Sequence, residues 1–203
     1  MINGAHVVVD STNAEVPGFV PSERDIVPVL DSVFMRARGR IIVASFASHV
    51  HRVQQVLDAA YAHERQVAYV GRSMVRNVNV ARNLGYLTAP EGVIVGDKEI
   101  DSVPDDELVI LTTGSQGEPM SALVQMSKGE YGRMQIKPGD TVIYSARPIP
   151  GNEGAIWRTI NRCICDNDVN DNIGRQIDNR RFHYDLVTLR AKVTRVTEVG
   201  VAS

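Results

Sequence analysis

The run Thr113-Gly114-Ser115-Gln116-Gly117-Glu118-Pro119 sets two glycines around a serine–glutamine pair and ends on a proline suited to a first helical turn. Backbone N–H groups at a helix start hold an anionic oxygen, a phosphate above all, and glycine lets the backbone approach it closely. The pattern is neither GxGxxG nor a Walker motif, and the same residues also make a tight strand-to-helix turn with a capping serine. Ser48-His49-Val50-His51-Arg52 opens another helical segment. Its donors suit a phosphate or a base edge, or an N-cap serine followed by surface histidines. His49 and His51, two positions apart, do not share one helix face, so zinc there would need an outside carboxylate. Arg72 and Arg76 either line the same face or are solvated residues at a helix start. Phe46 and Trp157 suit base stacking or a core position. Asp10 either orients a metal ligand through a hydrogen bond or caps a turn with Asn13.

Most of these residues lie at or just beyond the ends of short apolar runs: His6–Asp10, Arg40–Phe46, Gln66–Gly71, Glu107–Thr112 and Thr141–Ser145. The runs are rich in β-branched residues and apolar at consecutive positions, the pattern of strands buried on both faces of a parallel sheet. Between them lie helical patterns. Ser22 is a good N-cap before Val27, Leu30, Val33, Phe34 and Ala37, with Gly39 at the stop. His51–His63 carries Val53, Val56, Leu57 and Ala60 on one face. Ser73–Leu84 ends at Gly85, Pro119–Ser127 near Gly129, and Asn152–Cys163 holds Ile156, Ile160 and Cys163. This alternation predicts right-handed crossovers and an α/β three-layer sandwich with a mostly parallel, Rossmann-like sheet. In such sheets ligands bind beyond the carboxyl ends of the strands. The residues after each run are polar, so the expectation is one polar rim, including Ser145–Glu153.

The chain has 203 residues, 22 basic and 24 acidic side chains, and a net charge of −2. Its 43% hydrophobic and 23% charged residues are ordinary globular values, which excludes a disordered, collagen-like or coiled-coil chain. No run of apolar residues is long enough to span a bilayer, and the N-terminus lacks a signal-peptide pattern, so a cytoplasmic protein without membrane contact is expected. The charge balance argues against a generally basic nucleic-acid face but leaves room for a local groove. The two cysteines, Cys163 and Cys165, are too close for an unstrained bridge, and no second pair stands at ligand spacing. All nine prolines precede residue 151. That shift marks a tail, 164–203, distinct from 1–163.

Several stretches, in order, resemble the β-CASP domain of bacterial ribonuclease J. They are Asp10–Phe19 (DSTNAEVPGF), Ala44–Arg52 (ASFASHVHR), Val70–Val75 (VGRSMV), Leu84–Leu87 (LGYL), Thr113–Met120 (TGSQGEPM), Pro138–Val142 (PGDTV), Pro148–Glu153 (PIPGNE) and Arg158–Asn161 (RTIN). The resemblance implies residues 1–163 as the β-CASP domain, a clamp over a metallo-β-lactamase domain in a nuclease acting in RNA decay and rRNA and mRNA maturation. That family trims 5′-monophosphorylated single-stranded RNA 5′→3′ and also cuts internally, with two zinc ions activating the attacking water. DNA is not an expected partner. By position, Asp10 matches an acidic residue that supports the active site. Ser48, His49, Val50 and Arg52 match the turn that contacts RNA, and Ser115, Gln116, Glu118, Asn152 and Glu153 fall in loops facing the same channel.

The resemblance also has departures. No H-x-H-x-D-H run is present, and the family's later serine-glycine-histidine motif does not follow Asn161. The expectation is therefore a truncated or interrupted chain without its metallo-β-lactamase domain, binding no zinc of its own and inactive alone. Its tail reads as foreign or frame-shifted, either disordered or adding a β-hairpin to the sheet edge. His183 in Arg-Arg-Phe-His-Tyr does not resemble the family's histidine motif.

Overall fold

The computed structural model describes residues 22–132, 134–164 and 187–190. Five strands form one sheet: β1 (Ile41–Ala44), β2 (Gln66–Val70), β3 (Leu108–Thr112), β4 (Thr141–Tyr144) and β5 (Val187–Arg190). Their order is β2-β3-β1-β4-β5. The first four are parallel, with Ile41 paired to both Val109 and Thr141, and Gln66 to Leu108. β5 runs antiparallel to β4 from Val187 beside Tyr144 to Arg190 beside Thr141. The described part of the tail is thus one edge strand, and the second strand of a hairpin falls outside the described residues. So do the predicted strand His6–Asp10, with Asp10 itself, as well as Cys165 and His183.

Every residue of β1, β3 and β4 is buried. That is why these strands read as continuous apolar runs rather than alternating ones. Ile41, Val43, Val109 and Leu111 face one core with α1 (Val27–Arg36), α2 (Val50–Ala62) and α3 (Arg72–Asn83). Ile42, Ala44, Ile110 and Val142 face the opposite core with α4 (Ala122–Lys128) and α5 (Glu153–Ile164). Helices therefore cover both faces of the sheet, as predicted. Each large aliphatic residue so buried contributes about 1.5–3 kcal/mol.

α4 departs from the sequence expectation. It begins at Ala122 rather than Pro119. The Glu118 carbonyl accepts from both the N–H and the hydroxyl of Ser121, closing a turn first. The Leu123 N–H then donates to the Thr113 carbonyl, so the helix starts beside the end of β3. Pro119 lies in the turn and not in a helical cradle.

At the opposite, N-terminal edge, Arg40 forms two hydrogen bonds to Asp140, at 2.8 and 2.6 Å, and a third to the Gln135 carbonyl at 2.7 Å. Both side chains are buried. This pair fixes the entrance of β1 against that of β4.

Candidate nucleic-acid interface

Because β1 to β4 are parallel, the turns after them emerge along one edge. These turns are 45–49, Gly71, 113–121 and 145–152. The connection after β1 leads to α2 on one face of the sheet, whereas those after β3 and β4 lead to α4 and α5 on the other. Neighbouring connections that leave in opposite directions open a crevice at the strand ends, here on either side of β1. The turn that carries Ser48 and His49, and the first turn of α2 with Arg52, border it.

His49 caps α2 through its ring: Nδ1 accepts from the Arg52 N–H at 3.1 Å. A ring accepting at Nδ1 carries its proton on Nε2 when neutral. That nitrogen lies 3.3 Å from Glu23 Oε1. Arg52 is almost fully buried, at 2% exposure, and its nitrogens are committed. Nε donates to Gln55 Oε1 at 2.9 Å, Nη2 to Glu23 Oε2 at 2.8 Å, and Nη1 to the Ser145 hydroxyl. Burial alone would raise the Glu23 carboxyl, but the hydrogen bond and charge of Arg52, joined by His49, outweigh it and hold the pKa below its ordinary value. Ser48 is exposed at the tip of the turn, and Val50 is half-buried against the helical core.

Gln116, 3% exposed, joins the turn after β3 to the turn after β4. Its Nε2 donates to the Arg147 carbonyl at 2.9 Å, while Oε1 accepts from the Ile149 N–H at 2.8 Å and the Asn152 amide at 3.4 Å. Glu118 Oε2 accepts from the Gln116 N–H at 3.2 Å, and Glu153 Oε2 from the Gly151 N–H at 2.8 Å. Ser115 is buried beneath the turn, while Glu118 and Glu153 are exposed. Gly117 has φ +71°, and a Cβ there would stand 2.5 Å from the Ala155 carbonyl carbon. A side chain would therefore push the loop off the start of α5.

Arg72 and Arg76 lie exposed on the first turns of α3. Met120 (82% exposed) and Ile149 (49%) add apolar surface at the same edge. Of the two aromatic candidates, Trp157 packs partly buried against the core and Phe46 is half-buried. The sequence reading missed Glu23 and Gln55. The Ser22–Asp25 capping box that starts their neighbourhood is visible in the sequence, but the pairing of Glu23 with residues 26 and 29 positions away is not.

A zinc pair has no matching donor set among the described residues: no three His, Cys, Asp or Glu side chains are grouped to hold an ion. His49 uses both ring nitrogens, and His63 Nε2 lies 2.7 Å from Asp31 Oδ1. Burial pushes the Cys163 thiol up to about 12, against a smaller opposing effect of Arg162, so it is no ready thiolate.

The topology and the row of polar turns define a parallel α/β domain whose polar strand-end turns gather along the carboxyl edge of the sheet. Residues 38–163 match the family model of the ribonuclease J β-CASP domain, and the chain belongs to that family. It is 52% identical over 155 residues to ribonuclease J of Synechocystis, covering 76% of this chain and 24% of that protein. It is 48% identical over 154 residues to ribonuclease J of Mycobacterium tuberculosis, covering 76% and 28%. With ribonuclease J of Thermus thermophilus the identity is 49% over 156 residues, covering 77% and 27%. The chain thus spans about a quarter of the length of these curated relatives. Among the described residues no helix is long and apolar enough to cross a membrane.

Proposed function

We propose that this chain is the RNA-binding clamp of a ribonuclease J-type nuclease. Its carboxyl edge takes single-stranded RNA with a 5′-monophosphate. The observation that carries this reading is the alignment of four parallel strand ends, whose turns set Ser48, His49, Arg72, Arg76, Asn152 and Glu153 along one edge. The relatives' name supports RNA as the ligand, and the exposed arginines supply charge for the phosphates. The rim reads backbone and bases; it does not itself cut. Hydrolysis in this reading requires two zinc ions to activate water, and among the described residues no three His, Cys, Asp or Glu side chains are grouped to hold one. No hydrolytic step is therefore assigned to its residues.

The test is incubation of the 203-residue protein with 5′-monophosphorylated single-stranded RNA, with and without added zinc. The expected result is binding that weakens steeply with salt and no shortening of the RNA. Processive trimming with stoichiometric zinc would overturn the non-catalytic part of the reading. Absence of RNA binding at low salt would overturn the clamp itself.

A further inference from the structure

We propose that Glu23 is a positioning residue: one carboxylate, shared between His49 and Arg52, holds both in the geometry in which the turn after β1 presents itself at the strand-end rim. The proposal rests on the RNA reading of that rim.

The geometry is a closed ring of contacts. Ser22 and Asp25 cap their own short 3-10 helix, which leaves the Glu23 side chain free to reach α2. The Glu23 carbonyl accepts from Gln55 Nε2 at 2.7 Å, and Gln55 Oε1 accepts from Arg52 Nε at 2.9 Å. Arg52 Nη2 returns to the Glu23 carboxylate at 2.8 Å. The backbone of Glu23 is therefore anchored independently of its carboxylate, and the carboxylate has two tasks of its own. Among the described residues it is the carboxylate bonded to Arg52, whose guanidinium is otherwise buried and needs a counter-charge. It also faces His49 Nε2, which leaves Nδ1 as the acceptor that caps α2. One negative group thus fixes a buried cation, a ring tautomer and a helix start.

A carboxylate beside a face that binds phosphates has the wrong sign for affinity. That sign makes the role testable. If Glu23 acted only through its charge, its removal would tighten RNA binding. If it positions His49 and Arg52, removal weakens binding in spite of the lost negative charge.

The experiment compares wild type, Glu23→Ala and Glu23→Gln in the full 203-residue chain, by RNA titration and by 15N spectra of the His49 ring. Glu23→Ala keeps the backbone bond to Gln55, so the short helix stays docked. The expected result is an affinity about three- to tenfold lower for Glu23→Ala, the scale of one lost oriented hydrogen bond, and a smaller loss for Glu23→Gln. The His49 ring should shift from the Nε2-protonated form to a mixture of tautomers. Binding equal to or tighter than wild type overturns the proposal. Should wild type itself bind no RNA, the rim reading fails, and the ring spectrum then decides: an unchanged tautomer in Glu23→Ala overturns the role of Glu23, and a redistributed one supports it.

Discussion

Gln116 donates to the Arg147 carbonyl and accepts from the Ile149 N–H and the Asn152 amide, so a single buried side chain closes two strand-end turns onto each other. Replacing it with alanine leaves a backbone N–H and a carbonyl without these partners in a partly buried site. The expected cost is about 2–3 kcal/mol, read as a lower urea midpoint with an unchanged slope. Glu23 gives a prediction in pH. Its folded pKa is lowered, so the stability it contributes is fully present above its unfolded value near 4.5 and is lost as pH falls through the folded value. Glu23→Gln should lower stability in the neutral region and flatten that part of the acid limb, so that the two unfolding titrations converge as pH falls. The types of residue at the rim were legible in the sequence, since polar residues follow each apolar run. The uses of Arg52 and Gln116 were not. Each depends on partners brought close only by the fold, Ser145 lying 93 positions from Arg52 and Arg147 lying 31 from Gln116.

At the scale of elements, the strands and most helices follow from pattern alone. β1, β3 and β4 are buried throughout, so their runs are unbroken, and α2 keeps its apolar positions on one face. The start of α4 was not legible, because Pro119 signals a first helical turn while the bonds of Ser121 to Glu118 close a separate turn ahead of it. The pairing of the N-terminal strand edges was equally hidden. Arg40 and Asp140 are 100 positions apart, and the sequence marks neither as buried. Asp140 also accepts from the Lys137 N–H at 2.8 Å. Asp140→Ala leaves the Arg40 guanidinium buried without its counter-charge. The expected destabilisation is about 3–5 kcal/mol, checked by thermal or urea unfolding.

At the scale of the whole molecule, the two edges of the sheet do different work. The N-terminal edge is closed by the buried Arg40–Asp140 pair, whereas the carboxyl edge gathers exposed Ser48, Arg72, Arg76 and Met120 above turns locked by Gln116 and Glu23. In the proposed reading, a near-neutral chain holds RNA through one lined edge rather than a basic surface. The most direct test is amide hydrogen exchange of the chain with and without 5′-monophosphorylated single-stranded RNA. RNA should slow exchange in segments 45–52, 71–76, 113–121 and 145–153, with the loops at the opposite edge, 96–107 and 137–140, unchanged. Protection confined to that opposite edge, or no protection at any strand-end turn while RNA is bound, would contradict it.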